Sequence, residues 1–318
     1  MLKYPTKKTS VLRFLSVLLF AGLSVLLCAC NSKPTDTEII LSEGSASVNG
    51  PKKNSVINNN GTVTITRDGN YNITGTGHWS IIVDVQSGKA VYLNLNNADI
   101  TCDNSAPIYV KNSSMVVINL MEGSQNFLTD RHIYVETDNG EGQYEGAEIP
   151  DAAIYSRAPL LFEGEGKLTI KADGYNGIAS KDTLTIKSGN IKIDAAHHGI
   201  KGRDFVVISG GKLTIKCEGD AIKSTNSEEP SLGYINITGG DISADADDEG
   251  IYAASSITIS GGTLLIDSKK AALYGNGSVQ LKAGSIDIKT NHEPILGKSI
   301  EASDNAMISI NGRPYTKK

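Results

Sequence analysis

The residues of this chain that could do chemistry are acids, lysines and tyrosines that return at similar intervals. Acidic corners stand at Asp173-Gly174-Tyr175-Asn176, Glu218-Gly219-Asp220, Asp245-Ala246-Asp247-Asp248-Glu249 and His292-Glu293. Carboxylates stacked on one another repel unless a cation sits between them. Calcium–oxygen distances near about 2.4 Å place opposite ligands about 4.8 Å apart, which matches the spacing of neighbouring strands. One ion could therefore bridge Glu218 and Asp220 on one repeat with Asp247, Asp248 and Glu249 on the next. Asn226, with Glu228 and Glu229, could close the shell. The competing reading makes these carboxylates ordinary turn residues in water. No EF-hand spacing is present, and His197-His198 without a cysteine partner reads as surface corner residues and not as a zinc site.

A second set is cationic and aromatic, and its members are placed by a recurring phrase of an aliphatic residue, a variable one and a small one. The phrase reads Ile154-Tyr155-Ser156, Ile178-Ala179-Ser180, Ile200-Lys201-Gly202, Ile222-Lys223-Ser224, Ile251-Tyr252-Ala253, Leu273-Tyr274-Gly275 and Leu296-Gly297-Lys298. One position after the aliphatic residue stand Tyr155, Ala179, Lys201, Lys223, Tyr252 and Tyr274; three after it stand Arg157, Lys181, Arg203, Thr225, Ala254 and Asn276. With the aliphatic and small positions facing inward, these positions face outward. Tyr155, Arg157, Lys181, Lys201, Arg203, Lys223, Tyr252 and Tyr274 would then line a groove for an extended anionic polymer, cations pairing carboxylates and rings lying against sugar faces. The alternative is that they decorate a solvated sheet face, where long stems and rings stack well.

The elements that must position these residues follow from the spacing. Successive aliphatic positions lie 24, 22, 22, 29, 22 and 23 residues apart. A period of this size, carried by strand-forming residues, signals a stack of repeats. Each repeat also carries two alternating strands around a glycine turn, as at Ser188-Gly189-Asn190, Gly210-Gly211, Gly239-Gly240, Gly261-Gly262 and Gly284. Period-two alternation means half-buried strand, and a propeller blade would need about twice the residues. The expected fold is all-β, a single right-handed parallel β-helix, a solenoid of about 22 residues per coil. Gly61 to Thr129 reads as its first, less regular coils; the stretch from Asp130 to Asp151, dense in Glu, Asp and Gly, reads as a protruding loop, and Asn311 to Lys318 as the far cap.

Residues 1–29 read as a leader. Lys3, Lys7, Lys8 and Arg13 precede an apolar run from Phe14 to Leu27, too short for a comfortable membrane span. Leu27-Cys28-Ala29-Cys30 resembles the lipobox of bacterial lipoproteins, which implies cleavage before Cys30 and lipidation of its sulfur; an uncleaved anchor is the alternative. Either way the folded part is expected outside the cytoplasm; with the lipobox it is lipid-anchored to the bacterial membrane at the cell surface. Residues 30–50 read as a flexible tether and 51–318 as the domain. The leader holds four bases and no acid, so its removal takes the formal net charge from −5 to −9. An acidic chain argues against a nucleic-acid partner. A monomer is expected. Cys102 and Cys217 remain, as free thiols or as a disulfide.

Gly219-Asp220-Ala221-Ile222-Lys223-Ser224-Thr225-Asn226, Gly233-Tyr234-Ile235-Asn236-Ile237-Thr238-Gly239-Gly240, Asp247-Asp248-Glu249-Gly250-Ile251 and Ala152-Ala153-Ile154-Tyr155-Ser156 together resemble the bacterial carbohydrate-binding parallel β-helix domains related to pectate lyases. The resemblance spans about Gly61 to Gly297. It implies an exported calcium-binding solenoid that holds polysaccharides, including cellulose-like and pectin-like chains. Ala221 stands where that family usually has Gly, and Glu249 where it usually has Asp. The kinship also raises a calcium-dependent lyase acting by β-elimination, with Lys269, Lys270 or Lys223 as base. A general-base lysine needs its pKa lowered, whereas a lysine stacked on a carboxylate has it raised, so binding without chemistry is the favoured function. A structural surface role is the third reading. Trp79, the lone tryptophan, reads as a core plug in preference to a sugar platform.

Overall fold

The computed structural model describes residues 36–86, 88–132 and 150–315, within a compact unit of Pro34–Lys318. The leader, Cys28, Cys30 and most of the expected loop after Asp130 lie outside the described residues. The described chain is all-β: its helical content is a single turn, Lys53–Ser55, beside 28 strands joined into one hydrogen-bonded sheet.

Apart from three antiparallel pairs near the two ends, among them Val56–Asn59 with Thr62–Ile65 and Ala306–Ile310 with Arg313–Pro314, the pairing of those strands is parallel and runs from each repeat to the next. Ile81, Ile108, Ile154, Ile178, Ile200, Ile222, Ile251, Leu273 and Ile295 stand in one column of adjacent rungs, all buried. This is the first of three ladders. The second runs through Leu160, Leu184, Val206, Ile235, Ile257 and Val279, and the third through Leu168, Ile191, Leu213, Ile242, Leu264 and Ile286. The inward positions of all three merge into one continuous apolar core from Ile39 to Ile308. At about 1.5–3 kcal/mol for each fully buried aliphatic side chain, this core outweighs any single surface contact.

Between the second and third ladders the chain turns at Gly164, Gly189, Gly211, Gly240, Gly262 and Gly284, all with φ between 87° and 107°. A Cβ at Gly211 would lie 2.9 Å from the carbonyl oxygen of Gly189 one rung away, so the close stacking of turns requires glycine.

Two expectations need correcting. The expected tether extends through residue 50, yet Thr37–Ser42 pairs in parallel with the rung at Tyr71–Gly75 and Ser45–Asn49 folds back on it. Ile39 and Leu41 are buried, and this short alternation is masked in the sequence by its Ser- and Glu-rich surroundings. The last phrase also begins one residue earlier than expected: Ile295 occupies the aliphatic column, and Leu296 stacks on Tyr274. Ile295 is buried, which decides the register.

Trp79 is buried and donates its indole N–H to the Ser42 carbonyl at 2.9 Å, the plug that was expected. Cys102 and Cys217 are buried free thiols. They share one column, separated by Asp130, Ala172 and Ala195, hence about 19 Å apart at strand spacing. No disulfide can span that distance.

Candidate functional site

The corner leading into the first ladder exposes one backbone N–H per repeat, and a column of side chains meets it. Asn176 Oδ1 accepts the amide of His198 at 3.1 Å, His198 Nδ1 accepts the amide of Asp220 at 2.9 Å, and Asp220 Oδ1 accepts the amide of Glu249 at 3.0 Å. Each member is the equivalent of the one before it, two residues ahead of the aliphatic column. Asn176, His198 and Asp220 are all buried, so an unmet amide there would cost about 1–3 kcal/mol.

Because His198 Nδ1 is an acceptor it carries no proton. Burial, then Lys223, His197 and Lys201, push its pKa down to about 2. Its 3.5 Å approach to Asp220 Oδ2 is therefore a contact between a neutral ring and a carboxylate, not an ion pair.

Asp220 has a second oxygen beyond the one the amide uses. Together Asp220, Asp248 and Glu249 offer ligand atoms that lie within 4.8 Å of one another. Asp220 Oδ2 and Asp248 Oδ1 are buried and accept no aligned hydrogen bond. Their neighbours are cations: Lys223 Nζ stands 2.7 Å from Asp220 Oδ2, and Lys270 pairs with Asp248. These are ionic contacts whose direction does not satisfy the lone pairs. Burial, then hydrogen bonding and repulsion from Asp220 and Asp248, raise the Glu249 pKa to about 7. Three converging carboxylate groups with spare lone pairs, one of them hard to ionise because it is buried and its neighbours repel its charge, suit a hard oxygen-seeking dication.

The other three expected metal ligands are elsewhere. Glu218 and Asp247 line a separate cavity of about 620 Å³ with Asp173, Asp194 and Asp245, on the outer side of the third ladder. Asp247 is paired there with Lys269 at 2.6 Å. Asn226 lies past the far end of the strand Ile222–Ser224, where its amide donates to Asp204 at 2.7 Å and its oxygen accepts the amides of Glu228 and Glu229. It holds a turn and has nothing left for an ion.

Beside the carboxylates runs the outer column Tyr109, Tyr155, Ala179, Lys201, Lys223, Tyr252, Tyr274. Lys223 Nζ lies 5.1 Å over the Tyr252 ring, and Tyr252 meets Tyr274 edge-on at 5.3 Å. Burial, followed by opposing charge effects from Asp151 and the neighbouring lysines Lys181 and Lys223, leaves Lys201 with a lowered pKa. Among the described residues Lys201 forms no ion pair. The next outer column is cationic over four rungs, Lys111, Arg157, Lys181 and Arg203. Lys111 escapes a reading of the repeat that starts at Ile154, although Ile108-Tyr109-Val110-Lys111 carries the same phrase.

Not all of the expected saccharide face is open. Tyr155 is 1% exposed, packed with Ala106, Tyr109, Ala152 and Ala179 in a second apolar cluster outside the ladder. Arg203 is engaged by Glu228 at 2.8 Å and Asp204 at 3.6 Å. Each lysine considered as a base is paired: Lys223 with Asp220, Lys269 with Asp247, and Lys270 with Asp248, a close contact that raises the Lys270 pKa.

Comparison with known proteins adds three findings. A family model for carbohydrate-binding domain-containing proteins matches residues 59–313. A carbohydrate-binding domain-containing protein of Acetivibrio thermocellus is 45% identical over 197 residues, which span 61% of this chain and 66% of that protein, just under two thirds of its length. The solved structure of a polysaccharide lyase-like protein from C. thermocellum, a gadolinium derivative, is similar with a TM-score of 0.66 and 30% identity, covering 84% of this chain and all of that one.

Proposed function

We propose a function for a chain that belongs to the family of carbohydrate-binding domain-containing proteins: it holds acidic, pectin-like polysaccharide on the first ladder with the help of calcium, and does no chemistry on it. The fold behind this reading is a right-handed parallel β-helix, exported and tethered through a lipid on Cys30. The observation that carries it is the register that sets Lys201, Lys223 and Tyr252 directly beside the cluster of Asp220, Asp248 and Glu249.

Calcium would be held by those three carboxylate groups, with polymer carboxylates completing its shell and answering the lysines. The cationic column from Lys111 to Lys181 would extend the contact to further polymer carboxylates.

The test is electrophoresis of the mature protein through gels containing polygalacturonate, with calcium or chelator. Retardation should weaken with salt, with chelator and in Lys181→Ala with Lys201→Ala. Unchanged mobility across a panel of glycans would favour the structural surface role.

A second reading, β-elimination, is favoured by one residue. Lys201, partly buried, low in pKa and without an ion pair among the described residues, has the free amine that the three paired lysines lack. Polygalacturonate incubated with protein and calcium would then gain ultraviolet-absorbing unsaturated ends, lost in Lys201→Ala. No new absorbance after long incubation removes this reading.

A further inference from the structure

One repeat is seven residues longer than its neighbours, and its extra residues make a concave feature that the cation site does not use. Asn226 fixes the inserted turn through its three hydrogen bonds to Asp204, Glu228 and Glu229. Gly233, at φ 71°, then donates its amide to the Asp204 carbonyl at 2.6 Å and leads the chain into Tyr234. Between the insertion and the next two repeats lies a notch of about 210 Å³. Its floor is Ala254, Ser255, Asn276 and Gly277; Glu229 stands on one wall and Lys298 on the other. Ala254 and Asn276 occupy the outer column that carries Arg157, Lys181 and Arg203 in earlier repeats. That column is uncharged at Ala254 and Asn276 and becomes cationic again only at Lys298, on the far wall of the notch.

On the second ladder beside it, Tyr234 stacks on Phe205 with ring centroids 4.9 Å apart and planes 14° apart. The register continues the Tyr234 column into Ser256 and Ser278, so the ring face away from Phe205 meets small hydroxyl side chains. Two residues further along the same strands stand Asn236, Thr258 and Gln280, none of them charged. Among the described residues neither the Tyr234 hydroxyl nor the Asn276 amide has a hydrogen-bond partner in the protein.

We propose that the notch and the free face of Tyr234 form a second saccharide site, for an uncharged sugar unit. A flat aromatic face takes the C–H side of a sugar ring, and the amide, hydroxyl and carboxylate groups around it pair with sugar hydroxyls. Glu229 on one wall is balanced by Lys298 on the other, and the floor between them is uncharged, so the notch as a whole has no net charge to select a uronate. The two faces would thus divide the work, charged polymer on the first ladder and neutral sugar at the inserted corner. This rests on the carbohydrate-binding reading of the family but not on the cation site or the lysine column.

The test uses the mature chain with two neutral probes, cellohexaose and maltohexaose, titrated calorimetrically, and polygalacturonate gels run in parallel. Ala254→Leu fills the notch, and Asn276→Ala, at an exposed position, removes the amide. At least one neutral probe should bind, about tenfold more weakly in each variant, while retardation by polygalacturonate and the melting temperature stay as they were. The proposal is overturned if neither probe binds, if the variants bind as well as the parent, or if both kinds of glycan are lost together. Notch-dependent binding of a neutral probe without any polygalacturonate retardation would instead uphold this site and reject the acidic-polymer reading.

Discussion

The same corner of the fold is closed differently in successive repeats. At Asn176 and His198 the side chain that meets the next repeat's amide is neutral, and it serves as a hydrogen-bond acceptor. At Asp220 and Glu249 the same backbone position carries a carboxylate. Asp220 meets the amide with one oxygen and leaves the other buried against Asp248 and Glu249. A structural column thus becomes a candidate ion site by substitution of a group with a spare acceptor. The fold supplies the position; the excess charge supplies the chemistry.

The largest expected effect separates those two roles at Asp220. Asp220→Ala should destabilise the protein by about 3 kcal/mol, because the Glu249 amide and the half-buried Lys223 both lose their partner. Asp220→Asn should keep the fold, as Asn176 does two repeats earlier, and abolish any calcium response. Urea denaturation with and without calcium reads both. Equal stability for the two variants would show that the amide contact is irrelevant.

Next comes the cation itself. Calcium at a hundredfold excess over its dissociation constant should stabilise by about 2.7 kcal/mol, measured as a melting shift that chelator reverses. Asp248→Asn with Glu249→Gln should remove the shift, whereas Glu218→Gln with Asp247→Asn, on the separate cavity, should leave it intact. The opposite pattern would move the site to the outer cavity.

The pH profile should distinguish the neutral and acidic members of the column. His198 has a folded pKa of about 2, far below its ordinary 6.5, so the unfolded chain binds the extra proton and stability falls as pH drops below about 6.5. His198→Asn should flatten that limb and His198→Ala should cost roughly 1–2 kcal/mol at neutral pH. Glu249 runs the other way. Its folded pKa of about 7 lies above the ordinary 4.5, so its contribution is present below 4.5 and is lost as pH rises through 7. Without calcium, Glu249→Gln should remove that loss; with calcium, the parent should not show it. A profile unchanged in either variant rejects the assignment for that residue.

The smallest effect is expected at Arg203. It is half-exposed and already tied to Glu228 and Asp204, so Arg203→Ala should change stability by less than about 1 kcal/mol. It should also affect polygalacturonate retardation less than Lys201→Ala does.

Much of the arrangement is legible because one spacing governs it. The phrase from Ile154 onward fixes which residues stack, and Lys201 on Lys223 and Tyr252 on Tyr274 are neighbours as the spacing predicts. Legibility fails where a neighbour outside the phrase decides the outcome. Tyr155 holds an outward position yet is buried, because a second apolar cluster forms on that side. His198 looks like a surface residue in the sequence; extending the inward alternation backward through Asn176, His198 and Asp220 would show all three facing in. Asn226 looks like a ligand by residue type, and only its bonds to Asp204, Glu228 and Glu229 show its oxygen and amide engaged in holding the turn.

By itself the sequence determined the all-β class, the recurrence and the columns, since a fixed period with alternating burial admits few other packings. What only the tertiary structure decided is which atoms of those columns remain available. A column position says that two carboxylates are adjacent; it does not say which oxygen an amide already holds, or which lysine a carboxylate has neutralised. Those choices depend on the direction of hydrogen bonds and on burial at each corner, and both come from chain segments some two dozen residues away.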